Sequence, residues 1–241
     1  MAAQVMERPS LEASPRLKAK AAGFFYLLNI LTIFLAVLLF RGLIVSGNPA
    51  ATATNILAHE LRFRLGFACE LISTSCSIVV AALFYVLLRP VNRTVSLLAA
   101  FFRLIACSIA VVGDLLQLAP LQILGAHYLS VFSLAQSQAL ALLLYAFSGQ
   151  VAHTSIVFFG FHFVLIGYLI FTSTFLPRIL GVLVAPAGLG GLIFLFPPLA
   201  TRLFPYFVPF GLIAEVSLTV WFLAVGVNVQ RWTEQAHAAA E

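Results

Sequence analysis

Long apolar stretches run through this 241-residue chain, and they decide which solvent it can fold in. Hydrophobic residues make up 62% of the sequence and charged residues only 9%, with a mean hydropathy of +1.08. A soluble domain carries about 25% charged residues, so this chain lacks the charges that a water-facing surface needs. The sequence therefore predicts an all-α integral membrane bundle of about six transmembrane helices, because each long stretch can cross a hydrocarbon core of about 30 Å.

The predicted spans are joined mostly by short polar connections. They cover residues 21–40, 63–88, 95–118, 151–172, 177–197 and 206–227. A loop with a short helix is expected at 42–61, and Pro120 is expected to end the third span because proline lacks the backbone donor that a helix needs. The apolar segment 134–147 contains Gln-Ser-Gln and predicts a short interfacial or re-entrant helix, with a seventh span as the alternative.

Basic residues at the ends of the spans predict the orientation, since cytoplasmic loops are enriched in Lys and Arg. The end that holds the N-terminus carries most of them: Arg8, Arg16, Lys18, Lys20, Arg89, Arg93, Arg178 and Arg231. We expect a polar cytoplasmic N-terminal segment at 1–20, a transmembrane domain at 21–228 and a polar cytoplasmic tail at 229–241. The net charge of +5 is explained by these flanks, so no nucleic-acid partner is expected. The lipid bilayer and a small-molecule ligand are the expected partners, and the oligomeric state stays open.

Small residues recur through the fifth span near helical spacing. They are Gly181, Ala185, Gly188 and Gly191, with Pro186 among them. Small side chains allow two membrane helices to approach closely, so the pattern favours tight packing. A hinge for conformational change is the alternative.

Ionisable residues inside the predicted spans are rare, and they are the main pointers to function because such groups are costly in lipid. The candidates, which lie away from the ends of the spans, are Glu70, Arg103, Asp114, His153, His162 and Glu215. At 1.5 Å per residue, Arg103, His162 and Glu215 come out about 15–20 Å from the inner ends of their helices, in a deep layer near the midplane. Glu215 is the predicted counter-ion of Arg103, with Glu70 as the second choice. Either a static ion pair or a substrate or proton site fits this layer.

The other three residues form an outer layer, at about 28–32 Å on the same scale. Glu70, Asp114 and His153 are a weak alternative metal site, and partly hydrated carboxylates at a cavity mouth are the other interpretation. His153 and His162 are nine positions apart and therefore lie on nearly opposite faces of one helix. No cofactor and no catalytic residue is predicted, because the sequence lacks the nucleophile, phosphate-loop, zinc-protease and dinucleotide motifs.

Polar residues extend both layers along single helix faces. Arg103 and Asp114 are 11 positions apart, close to three turns, and Cys107, Ala110 and Gln117 fall on the same face. A second stripe on the preceding span contains Glu70, Ser73, Thr74 and Ser77. Such faces are expected to meet protein or water instead of lipid.

Several stretches of the chain resemble one family of bacterial membrane proteins, called "domain of unknown function 4386". They are Arg-Phe-Arg-Leu-Gly at 62–66, Arg-Pro-Val-Asn-Arg at 89–93 through Phe-Phe-Arg103, Phe-Phe-Gly-Phe-His at 158–162 through Gly-Tyr-Leu-Ile at 167–170, Leu-Pro-Arg-Ile-Leu-Gly at 176–181, and Phe-Pro-Tyr at 204–206 through Glu215. The resemblance covers about residues 22–226. It implies a multi-pass protein of the bacterial cytoplasmic (inner) membrane with this helix count, and no assigned activity. His153 lies outside the matching stretches.

The leading functional hypothesis is binding or transport of a small molecule or proton at a polar intramembrane site open to the outer face. Its expected residues are Arg103, His162, Glu215, Glu70 and Asp114. An intramembrane enzyme, either metal-dependent or metal-free, is one alternative, and a non-catalytic subunit or sensor is another.

Overall fold

The computed structural model describes residues 14–125 and 131–239, which form helices joined by short connections. The helices are α1 (Pro15–Phe40), α2 (Pro49–Ala58), α3 (Glu60–Leu88), α4 (Arg93–Gly125), α5 (Leu134–Thr172), α6 (Arg178–Leu192), α7 (Pro197–Ala224) and α8 (Val229–Ala238), with a 3-10 turn at Ile193–Leu195. Six of them, α1 and α3 to α7, are long and apolar enough to cross a membrane. The prediction of an all-α bundle with six spans is confirmed, and α2 is the helix predicted within 42–61.

The six spanning helices form a ring. Each one packs against the next along the chain, from α3 to α4, α5, α6 and α7, and α7 then packs against α1, which in turn packs against α3. Successive spans run in opposite directions because the connections between them are short. The ring leaves an interior that all six helices can line.

Close backbone contact between α5 and α6 depends on glycine. A Cβ atom at Gly167 would lie 2.5 Å from the amide nitrogen of Ala185, and one at Gly188 would lie 2.6 Å from that of Val164. Any side chain at these positions would force the helices apart. The predicted packing role of the small residues is confirmed for Gly181, Ala185 and Gly188.

Two local predictions about helix ends were wrong. Helix α4 does not end at Pro120 but continues to Gly125. The proline removes only one backbone donor, and packing against α5 holds the helix together around it. Segment 134–147 is helical but is neither separate from the fourth span nor an additional one, since α5 runs unbroken for 39 residues. Gln136 stabilises the start of this helix, because Ser133 and Gln136 form a reciprocal capping box.

The long helices α4 and α5 extend past the apolar core at the end of the ring opposite the N-terminus. Their 33 and 39 residues correspond to about 50 and 58 Å, against a core of about 30 Å. Helix α2 packs against both of them. We call this end the outer cap; its small core contains Leu43, Ile56, Phe63 and Leu121.

The opposite half of the ring is filled by apolar side chains, which we call the inner plug. Its buried members are Ala19, Ala22, Tyr26, Val80, Phe84, Leu87, Leu88, Ala99, Ile166, Leu169, Ile170, Phe175, Leu176, Leu180, Val184, Ala214, Leu218, Phe222 and Val227. Helix α8 lies across this end, where the indole nitrogen of Trp232 donates a hydrogen bond to the carbonyl of Leu87 at 2.8 Å. Of the predicted N-terminal segment, only residues 14–20 are described, and they begin α1.

Candidate functional site

A cavity of about 550 Å³ lies inside the ring, between the inner plug and the outer cap. All six spanning helices line it, at positions between the middle of each span and its capped end. Arg103 and Glu215 of the predicted deep layer line this cavity, and so do Glu70 and Asp114 of the outer layer. The two layers therefore belong to one site. Ser73, Thr74 and Ser77 of the predicted stripe on α3 also line it.

Arg103 is held at the floor of the cavity by two hydrogen bonds, although its side chain is only 1% exposed. Its Nε donates to the Ser77 hydroxyl at 2.9 Å, and one terminal nitrogen donates to Nε2 of His162 at 3.0 Å. Nδ1 of His162 lies 2.8 Å from the carbonyl oxygen of Ala99. Since a carbonyl can only accept, Nδ1 carries the proton and Nε2 accepts from the guanidinium. His162 thus fixes the position of Arg103 from behind, and it does not line the cavity.

Aromatic rings surround the guanidinium of Arg103. Its central carbon lies 5.2 Å from the ring centroid of Tyr26, 5.7 Å from that of Phe159 and 6.0 Å from that of Phe84. The negative face of an aromatic ring attracts a cation, more strongly where water is excluded. The charge of Arg103 is therefore stabilised by rings as well as by hydrogen bonds.

Glu215 is near Arg103 but is not its direct partner. Their charges interact electrostatically, as expected of a counter-ion, but the described residues show no direct ion pair between the two side chains. The fully buried hydroxyl of Tyr26 lies beside both charged groups, in a position that completes no well-aligned hydrogen bond.

Two carboxylates face the outer half of the cavity without a cation. The amide nitrogen of Gln117 donates to Glu70 at 2.7 Å. One oxygen of Asp114, Oδ2, is buried and has no hydrogen-bond partner. The charges of Glu70 and Asp114 interact with each other. This half of the cavity is therefore acidic.

His153 does not join these carboxylates. Its side chain is exposed and packs against Phe194, with the ring centroids 4.8 Å apart. No three metal-binding side chains come together in the described part of the chain. The alternative metal site of Glu70, Asp114 and His153 is consequently not assembled.

Sequence reasoning missed two residues on α1 that support the site. Tyr26 contacts Arg103 through its ring, and the Asn29 amide donates to both the carbonyl and the hydroxyl of Ser73, at 2.8 Å each. Asn29 also lines the cavity. Their spacing of one helical turn was the available signal, but neither residue carries a charge.

Comparison with known proteins identifies the family. The family model described as "Domain of unknown function (DUF4386)" matches residues 21–226, so the chain belongs to this family, as the sequence resemblance predicted. An uncharacterized protein of Archaeoglobus fulgidus is 28% identical over 157 residues, which cover 62% of this chain and 76% of that protein. No solved structure matches the chain.

Proposed function

We propose that this DUF4386 protein binds a small molecule in the cavity and carries it across the membrane. The observation that supports this most directly is the sharing of one cavity by the deep and outer polar layers. Its volume of about 550 Å³ falls within the range of about 300–1,000 Å³ that small-molecule sites occupy. Ionisable residues within a membrane span commonly mark such pathways.

The asymmetry of the ring supports a carrier that is open on one side. Lining residues such as Gln117 and Ser148 lie toward the outer cap, whereas the inner plug fills the other half with packed side chains. In transporters that work by alternating access, a midplane site is reached from one side at a time. In the proposed state the cavity is reached from the capped end and the inner plug closes the other end.

The direction of the protein in the membrane is part of the proposal. The basic residues at the plug end include Arg89, Arg93, Arg178 and Arg231. By the positive-inside tendency this end faces the cytoplasm, so both termini are cytoplasmic and the cavity opens outward. The bacterial inner membrane is the proposed location.

Uptake into proteoliposomes tests this function. The outside solution is a metabolite extract, and mass spectrometry identifies the compounds retained inside after washing. We expect at least one compound to be enriched over empty liposomes, and the enrichment to fall at least tenfold in Glu215→Gln. The control is Glu60→Gln, which removes an exposed carboxylate paired with Arg64 outside the cavity. Absence of any enriched compound, or equal uptake by Glu215→Gln, would contradict the proposal.

A further inference from the structure

We propose that the ligand is an organic cation with an apolar body, and that its charge binds between Glu70 and Asp114. This inference rests on the proposed function and adds the chemical class of the ligand. Three observations support it. The cavity lining contains more acidic than basic side chains, the nearby basic side chains already have other partners, and the rest of the lining is mainly apolar.

The lining of the cavity contains more acidic than basic side chains. Its lining contains three carboxylates, from Glu70, Asp114 and Glu215, and one basic side chain, that of Arg103. Glu215 lies close enough to Arg103 for the two charges to offset each other. Glu70 and Asp114 are left without a cation, and Gln117 supplies only a neutral amide.

Basic side chains elsewhere on α3 do not compensate these carboxylates. Arg64 pairs with Glu60 at 2.7 Å. Arg62 donates to the carbonyls of Leu38 and Arg41, at 3.0 and 2.7 Å. An ionised carboxylate removed from water is costly without an opposite charge. A bound cation supplies that charge next to the unpartnered oxygen of Asp114.

The rest of the lining decides what kind of cation fits. Apolar and aromatic side chains make up most of the wall and include Ile33, Ile156, Phe159, Phe163, Phe207 and Leu212. Aromatic faces bind organic ammonium groups well. An inorganic ion such as Ca²⁺ requires about 6–8 oxygen ligands, which two carboxylates in a cavity of about 550 Å³ do not provide. The cavity thus suits an apolar body that carries one positive charge.

A pair of ions of the same shape and opposite charge tests this inference. Tetraphenylphosphonium and tetraphenylborate differ mainly in sign, and triphenylphosphine oxide is a related neutral probe. Equilibrium dialysis of the purified full-length protein in a non-ionic detergent, with radiolabelled phosphonium, gives the dissociation constant. We expect phosphonium to bind, and borate at equal concentration to displace less than a tenth of it.

Variants locate the bound charge. Glu70→Gln and Asp114→Asn preserve the side-chain shape, and each is expected to weaken phosphonium binding at least tenfold. Glu60→Gln, on the same helix but outside the cavity, is expected to bind like the wild-type protein. Size-exclusion profiles and Tm values establish that each variant is folded. No phosphonium binding by the wild-type protein, equal displacement by borate, or unchanged binding in the variant Glu70→Gln/Asp114→Asn would overturn the inference.

Failure of the ligand class is distinguishable from failure of the proposed function. The variant Ala110→Cys, in protein whose Cys69, Cys76 and Cys107 are replaced by alanine, carries a single cysteine in the cavity lining. A ligand that occupies the cavity should slow the reaction of this cysteine with maleimide. Protection by borate or by the phosphine oxide, without protection by phosphonium, means that the cavity binds another class of molecule. The proposed function then stands and the cation inference falls. Absence of uptake of any compound in the proteoliposome experiment removes both.

Discussion

His162→Phe should destabilise the protein through Arg103, without emptying the space that the ring fills. Phenylalanine keeps the stacked contact with Phe84, whose ring is 6.4 Å away and inclined by 14°. It removes the acceptor for the buried guanidinium and the donor to the Ala99 carbonyl. A hydrogen bond to a charged group contributes about 1.5–3 kcal/mol, and an interhelical hydrogen bond in a membrane about 0.6 kcal/mol. The expected loss in the free energy of unfolding is therefore about 2–4 kcal/mol.

Reversible unfolding in mixed detergent and dodecyl sulfate micelles measures this loss. His153→Phe is the matched control on the same helix, because His153 is exposed and makes no hydrogen bond to a charged partner; it should change the free energy by less than about 0.5 kcal/mol. The double-mutant cycle with Arg103→Leu isolates the cause, since the cost arises from an unpaired buried charge. His162→Phe should cost at least about 1 kcal/mol less when Arg103 is already leucine. Additive effects, or equal effects of the two histidine variants, would refute this reasoning.

Two further predictions concern packing. Gly167→Ala should destabilise the protein by about 1–3 kcal/mol in the same unfolding measurement, because its Cβ would meet the backbone of Ala185 at 2.5 Å. Gly149→Ala is the control on the same helix, since its Cβ would meet nothing within 4 Å, and it should be neutral or slightly stabilising. Equal effects of the two variants would contradict the α5–α6 contact. Trp232→Phe should remove the hydrogen bond to the Leu87 carbonyl. Amide hydrogen exchange of residues 229–238 should then become about tenfold faster, which corresponds to a decrease of about 1.4 kcal/mol in the free energy of local opening. Unchanged exchange would show that Trp232 does not anchor α8.

Hydropathy predicted the number of spans and most of their bounds, and helix rise placed Arg103 near His162 along the bundle. Both depend on distance along one helix, which the sequence contains directly. Arg103 and Glu215 line the same part of the cavity for this reason. The opposite faces of His153 and His162 also followed from helical spacing, and the structure has one exposed and the other buried.

The pairing of side chains across helices could not be derived in this way, because it depends on which helices are neighbours and how each is rotated. Glu215 was expected as the counter-ion of Arg103, and the two charges do interact. The direct hydrogen bond to Ser77 was not predicted, because it depends on α4 lying next to α3 in the ring. The contribution of Tyr26 was hidden for the same reason, since α1 meets this site only when the ring closes. The start of α5 was different, because the capping pattern of Ser133 and Gln136 is present in the sequence itself.

Thiol accessibility from each side of the membrane tests most directly whether both polar layers share a cavity that opens toward the outer cap and is closed by the inner plug. Single cysteines at Ala110, which lines the cavity, and at Leu218, which is 0% exposed in the plug, are placed in protein without its three native cysteines. A membrane-impermeant maleimide is added to right-side-out and inside-out vesicles. We predict rapid labelling of Ala110→Cys from the capped side only, and none of Leu218→Cys from either side. Labelling of Leu218→Cys, or protection of Ala110→Cys from both sides, would contradict the proposed site.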